Sequence, residues 1–395
     1  MDLVKLALAV GRSVQEHPPI TADPSRCLRA NDKSATCTLC ADLCPVDAIQ
    51  LTDGLAVNAD ACVRCGLCLH RCPTGALDGA DGVYRLLYCA SQLVDRENLE
   101  IACAHHPDPA VGEAKPDAVI TTNTCLAALG ASAYLALIAQ DVRRLTVRLD
   151  ACDQCPLACN KPEIETAIQQ AQTILSTLDN RARIEPVTAV KRSSRRSVLS
   201  VMNPPVSRRS FFQSLTHQPA KGIDPLFSAD TPQLESIESA PRERRRLISV
   251  LRELATNPPD TPLTIDGFAQ FSVSEACTAC DLCVRVCPSG ALQLNQDDVS
   301  FALTFSPADC TDCGLCLKFC AADALHRTGT PSLAALIASE PQTLRTGRLV
   351  RCKKCASLFA ASSEAQLCPA CAFRKNNPFG SANISRTGLK NPRTG

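Results

Sequence analysis

Cys277, Cys280, Cys283 and Cys287 stand in a C-x2-C-x2-C-x3-C-P run closed by Pro288, and Cys310, Cys313, Cys316 and Cys320 repeat that spacing 33 residues later. Cys62, Cys65, Cys68 and Cys72, followed by Pro73, form a third complete run. Cys37, Cys40 and Cys44-Pro45 match the last three positions of a fourth, with Ser34 at its first. Thiolates are soft metal ligands. Cys27, seven residues before Ser34, can stand in for the missing ligand if the loop 28–36 folds back.

Two such runs in tandem resemble bacterial-type two-cluster ferredoxins, and the resemblance spans about 60 residues, roughly 265–328. Ala321 departs from it where the pattern has proline, which touches the turn after Cys320 and no ligand. The resemblance implies one [4Fe–4S] cluster on Cys277, Cys280, Cys283 and Cys320, and a second on Cys310, Cys313, Cys316 and Cys287. Carried to the first module, it implies a cluster on Cys27, Cys37, Cys40 and Cys72, and another on Cys62, Cys65, Cys68 and Cys44. Were Cys27 only a buried thiol, three thiolates would hold a [3Fe–4S] cluster or a cubane with one open iron. Gly66 and Gly314, each after the second cysteine of a run, fit close passage of backbone past the inorganic core. AIQLTDGLAVN and ALQLNQDDVSFALTF, between paired motifs, read as β-hairpins of unequal length in a duplicated module.

Between the modules the pattern changes to βα alternation. VYRLLY, LEIA, AVITTNT and LTVRLD are strand candidates; CLAALGASAYLALIAQ and PEIETAIQQAQTILSTL are helix candidates. Each strand candidate ends at or just before a cysteine: Cys89, Cys103, Cys125 and Cys152. In a parallel sheet the strand carboxyl ends share one crevice. The layout loosely resembles the α/β iron–sulfur domain of delta subunits of methyl-viologen-reducing hydrogenases. That resemblance implies a fifth cluster, [2Fe–2S] or [4Fe–4S], for which Cys125, Cys152, Cys155 and Cys159 are the chosen ligands and Cys89 and Cys103 the reserves. His105 and His106 can ligate or donate to sulfur, though loop histidines are more often solvated.

Near the C-terminus, Cys352-x2-Cys355 and Cys368-x2-Cys371 are separated by twelve residues. Two C-x2-C pairs supply a tetrahedral four-thiolate site for Zn2+, or for iron of the rubredoxin type. The 26 cysteines are then accounted for as eight in each module, six in the middle and four in the knuckle.

The elements that must carry these sites define an α+β multidomain chain. Its expected parts are an N-terminal helix (1–24), a ferredoxin-like module (25–82) and a small α/β cysteine-rich domain (83–182). A polar linker with a short helix (183–262), a second ferredoxin-like module (263–328), a helix with a zinc-ribbon-like knuckle (329–376) and a flexible tail (377–395) follow. Aromatic residues make up 4% and tryptophan is absent, so metal–thiolate bonds are expected to supply much of the stability. The spacings are not those of a short secreted disulfide scaffold, which points to reduced thiols and a cytoplasmic setting. A net charge of +1 predicts no bulk attraction to nucleic acid or anionic membrane, and no apolar window is long enough to span a bilayer. SRRSFF at 207–212 resembles a twin-arginine export core but is internal, which leaves docking to an acidic partner or packing on its own chain. The arginines of PRERRRLISVLRELATN read as the solvated face of a helix.

No G-x-G-x-x-G, P-loop or nucleophile–base pairing is recognisable, so independent catalysis is not expected. The chain resembles multi-cluster 4Fe–4S ferredoxin-domain proteins, which implies single-electron transfer between a carrier and a redox enzyme, of the molybdenum oxidoreductase, formate dehydrogenase or hydrogenase type. Two rival classes are an accessory ferredoxin that helps mature a molybdoenzyme, and an oxidoreductase subunit binding substrate at its middle domain or at an open iron beside Ser34. Oligomeric state is left open.

Overall fold

The structure is a computed structural model that describes residues 19–32, 35–112, 116–190, 194–205, 240–255, 258–263, 265–338, 340–360 and 366–377. The expectations placed on residues 1–18, on Ser34, on SRRSFF at 207–212 and on the tail beyond 377 lie outside the described residues. The chain divides into two compact units, Met1–Asp266 with Ser332–Ile337, and Gly267–Pro331 with Ala338–Gly395.

The first unit opens with strand β1 (Thr21–Ala22), inside the stretch read as an N-terminal helix. Pro19 fixes φ and two β-branched residues follow, so the chain is extended here. β1 pairs antiparallel with β4 (Leu77–Asp78), and the inner hairpin joins β2 (Ile49–Gln50) to β3 (Ala56–Val57). Ala48, Ile49, Leu55, Leu69, Ala76 and Leu77 form the module's core together with Cys40, Cys62, Cys68 and Cys72. Apolar burial is thin, and thiols fill much of it.

Helix α1 (Val83–Ser91) follows, where VYRLLY was read as a strand. Val83, Leu86, Leu87 and Ala90 are buried at helical spacing, and the Asp81 carboxylate accepts the Val83 N–H at 3.1 Å to start the turn. A short apolar run satisfies both periods, and the residues on either side decide for helix. Next come β5 (Asn98–Ala102), β6 (Val111–Gly112), β7 (Ala118–Thr121) and β8 (Arg144–Arg148). β9 (Arg183–Val187), β10 (Ser194–Arg195) and β11 (Val198–Ser200) complete the set. Five of these form a wholly parallel sheet in the order β11-β7-β5-β8-β9. β9 and β11 fall in the stretch read as linker, so the α/β domain continues at least to Ser200.

Helix α2 (Ala131–Ala139) links β7 to β8 with Ala131 through Ile138 all buried, as expected of a helix apolar on every side. Helix α3 (Lys161–Thr177) links β8 to β9 and buries Ile164, Ala167, Ile168, Ala171, Ile174 and Leu175. Helix α4 (Arg242–Leu254) packs on α2, and its arginines are not merely solvated. Arg242 bonds the Gly79 carbonyl at 2.6 Å and pairs with Asp78; Arg246 pairs with buried Asp81 at 2.5 Å. The short helix α5 (Leu333–Ile337) belongs to this unit.

The second unit repeats the first module's plan on longer strands. β12 (Gln270–Val273) pairs with β15 (Leu325–Gly329), and β13 (Leu292–Gln296) forms a hairpin with β14 (Ser300–Phe305). The longer hairpin has a structural use: β14 also pairs with β16 (Gln342–Arg351), which pairs with β17 (Leu358–Ala360). The C-terminal knuckle, closed by helix α6 (Pro369–Asn376), is thus one sheet with the ferredoxin hairpin.

Candidate metal centres

In the second unit, Cys277, Cys280, Cys283 and Cys320 line one pocket, walled by Val273, Leu294, Leu303 and Leu325. In the first unit, Cys62, Cys65, Cys68 and Cys44 line a pocket that corresponds to the second unit's other set, Cys310, Cys313, Cys316 and Cys287. Both sets take their fourth thiol from the other run. The remaining sets also converge. Cys27 and Cys72 both act on Cys37 and Cys40, and Cys287 acts on Cys310's neighbours Cys313 and Cys316. Burial pushes Cys40 up to about 12 and Cys283 to about 12, with the neighbouring thiols adding to the rise. Four crowded buried thiolates repel one another, and a cationic core among them removes that repulsion. The donor sets therefore fit iron–sulfur clusters.

Local backbone geometry explains how the runs converge. Arg64 (φ 52°), Ala279 (φ 53°) and Asp312 (φ 51°), each just before the second cysteine, are left-handed, and so are Gly66, Asp281 and Gly314 just after it. Such turns aim successive N–H groups into one concavity. At Gly66 the conformation is compounded by close packing, since a Cβ there would lie 2.6 Å from Ala128 Cβ. The glycine thus admits the α/β domain as well as an inorganic core. His70, within the same run, is fixed to the Ala127 carbonyl at 2.9 Å.

A second ligand-shell feature went unnoticed in the sequence. Four residues after the last cysteine of a run stands a buried alanine: Ala48, Ala76, Ala291 and Ala324. Ala48 N–H donates to Cys44 Sγ at 3.2 Å, Ala76 to Cys72 at 3.2 Å and Ala324 to Cys320 at 3.3 Å. The fourfold C-P/A-x-x-A repetition was the available signal.

The middle cysteines are sorted differently from expectation. Cys103, Cys125, Cys152 and Cys155 line a common pocket with His105 and His106. Cys159 is exposed and does not line it, and Cys89 lies inside α1, its thiol raised to about 11 by burial. β5 sends the chain to β7 on one side while β8 lies on the other, so the crevice at their carboxyl ends is a topological switch point. Cys103 follows β5, Cys125 follows β7, and Cys152 and Cys155 follow β8. Beneath them, Arg148 bonds Glu100 at 2.9 Å and Asp150 at 2.7 Å, while Arg196 bonds Glu100 at 2.6 Å. His106 is held to Asp150 at 3.2 Å and is buried, not solvated.

The knuckle differs in scale. The Sγ atoms of Cys352, Cys355, Cys368 and Cys371 all lie within 4.8 Å of one another. No ferredoxin-type set, and not the middle set, reaches that tightness among the described residues. Four sulfurs about 2.3 Å from a single tetrahedral ion fit such spacing, whereas a polynuclear core holds its ligands farther apart. The N–H of Cys368 leads the groups that lower Cys352, which favours the thiolate form that a metal ion takes.

Residues 276–324 match the 4Fe-4S dicluster domain, and residues 55–78 match the 4Fe-4S binding domain. The chain carries two 4Fe–4S ferredoxin-type domains. The first match spans the cysteines of the Cys277–Cys320 pocket, and the second spans Cys62, Cys65 and Cys68 of the other pocket but not Cys44. Comparison with curated proteins finds no match. No helix among the described residues is long and apolar enough to cross a membrane.

Proposed function

We propose that this chain is an iron–sulfur electron-transfer protein with four [4Fe–4S] sites, two per ferredoxin-like module, and one structural Zn2+. The observation that carries this reading is the exchange of fourth ligands between runs: Cys320 joins Cys277, Cys280 and Cys283, and Cys44 joins Cys62, Cys65 and Cys68. The exchange sets two thiol groups side by side within each module; Cys40 acts on Cys68 across one such boundary, and Cys283 on Cys316 across the other.

A bound [4Fe–4S] core supplies one-electron chemistry at a potential set by burial and hydrogen bonding. The chain's own residues perform the tuning. The N–H groups of Ala48, Ala76 and Ala324 withdraw negative charge from their thiolates, and the apolar walls exclude water. Cys352, Cys355, Cys368 and Cys371 hold Zn2+ in a closed four-ligand site with no position left for a substrate. The partner is a redox enzyme of the molybdenum oxidoreductase, formate dehydrogenase or hydrogenase type together with a carrier, a choice supported by the ferredoxin-family resemblance alone. The α/β domain, which loosely resembles the delta subunits of methyl-viologen-reducing hydrogenases, is read as a further iron–sulfur domain.

Anaerobic protein, reduced with dithionite and reoxidised with a one-electron acceptor, tests the function. About four or five electrons per chain, taken up and returned reversibly, support it. Failure to take up electrons contradicts it.

A further inference from the structure

Cys125 Sγ accepts the Asn160 side-chain N–H at 4.0 Å. Asn160 is 1% exposed. The turn after Cys125 lies against the Cys62–Cys72 run, where His70 meets the Ala127 carbonyl at 2.9 Å and Gly66 packs on Ala128. All these residues lie in the first unit.

We propose that Cys103, Cys125, Cys152 and Cys155 hold a fifth iron–sulfur cluster beside the neighbouring ferredoxin site, and that Asn160 tunes it through Cys125. The proposal rests on the iron–sulfur reading given above. It replaces Cys159 by Cys103 among the ligands.

Three features carry it. The four thiols surround one pocket whose apolar wall includes Leu126, Leu157 and Ile164. Among the described residues they are not drawn together within 4.8 Å as the knuckle thiols are. A backbone N–H also meets a sulfur here as in the ferredoxin modules: Leu157 donates to Cys155 at 3.4 Å. Cys159 does not line this pocket.

Asn160 is a positioning residue on this account. Its N–H stabilises negative charge on Cys125. Removing it leaves every thiolate in place while making the added electron less favourable at that site. A hydrogen bond to a charged sulfur is worth roughly a factor of ten in an equilibrium constant. For one electron that factor corresponds to about 59 mV.

Iron and acid-labile sulfide should be counted on anaerobically purified full-length wild type and on Cys103→Ser, Cys159→Ser and Asn160→Ala, with potentiometric EPR on each. The wild type is expected to carry about two to four irons beyond the roughly sixteen of four cubanes. Cys103→Ser should lose that excess and one EPR signal, and Cys159→Ser should keep both. Asn160→Ala should keep all iron and shift that site's midpoint to a more negative value by about tenfold in the oxidised-to-reduced ratio. A wild type with only about sixteen irons overturns the fifth site and leaves the ferredoxin reading intact. A wild type with almost no iron overturns that reading itself. Excess iron lost in Cys159→Ser but kept in Cys103→Ser overturns the ligand set. If Cys103→Ser does not fold, unshifted potentials in an iron-replete Asn160→Ala overturn the tuning through Cys125.

Discussion

Glu243 accepts two hydrogen bonds from Ser132, from its backbone N–H at 2.8 Å and from its Oγ at 2.6 Å. A carboxylate from α4 therefore caps the N-terminus of α2, which has no cap of its own because Gly130 stands at that position. A Cβ at Gly130 would lie 2.3 Å from Glu243 Oε1, so glycine there makes room for the carboxylate. The segment read as a loose linker thus returns to fasten the central helix of the α/β domain.

Glu243→Ala is accordingly expected to lower stability by about 1–2 kcal/mol through the lost cap. Thermal unfolding of the iron-replete protein measures it. Faster hydrogen exchange should appear first in Ala131–Ala139. An unchanged melting temperature would mean that the cap contributes nothing.

Asp81 gives a pH-dependent test of the same anchorage. Burial by itself raises this carboxyl, but the charge and hydrogen bonds of Arg246, with Arg242, outweigh it and hold the group below the usual carboxylate range. A depressed folded pKa contributes stability that is fully present above the unfolded value, near 4. That contribution is lost as pH falls through the folded value. Asp81→Asn should therefore destabilise by about 1–3 kcal/mol at pH 7. Its gap from wild type should close only below about pH 4. Hydrogen exchange in Arg242–Leu254, compared at matched pH, reads the difference. A gap that closes near neutral pH would contradict this assignment.

Cys27 is the ligand whose spacing departs furthest from the pattern, and it acts on both Cys37 and Cys40. Cys27→Ser should cost about one iron per chain and convert one cubane signal to that of a three-iron cluster, or abolish it. EPR of the oxidised and reduced variant decides. Unchanged iron with unchanged spectra would reduce Cys27 to a bystander thiol.

The knuckle should support the second ferredoxin module. Ala360 N–H donates to the Thr278 carbonyl at 3.0 Å, so β17 is bonded to the loop between Cys277 and Cys280. Ala279 also packs with Phe301 and Leu349. Cys355→Ser is expected to lose the zinc and, with it, the fold of the knuckle, since binding energy of this kind is folding energy. Iron loss under a chelator should then quicken in the second module and not in the first. Equal rates in the two modules would contradict the buttress.

Much of this site was legible because cysteine spacing is a local property. The runs at Cys62–Cys72 and Cys277–Cys320 announce the pockets they line, and the crossing of Cys44 and Cys320 into those pockets is the pattern that the ferredoxin resemblance implies. The two unequal hairpins were readable from turn residues between β-rich segments. Cys103 was not separable from Cys159 in this way. Its partners are joined by a parallel sheet whose strand order, β11-β7-β5-β8-β9, is a tertiary fact. VYRLLY misled because six residues satisfy two periods, and its helical character depends on Leu87 and Ala90 being buried with Val83. The arginines at 242 and 246 looked solvated because their partners, Asp78 and Asp81, lie more than 160 residues away. Asn160 carried no signal at all, since one buried amide beside a thiol has no sequence pattern.

The central claim is met most directly by counting iron, acid-labile sulfide and zinc per chain on protein purified without oxygen. The account predicts about 18 to 20 irons, matching sulfide and one zinc. Few irons with several zincs would mean that these thiols hold structural ions, and would contradict an electron-transfer role.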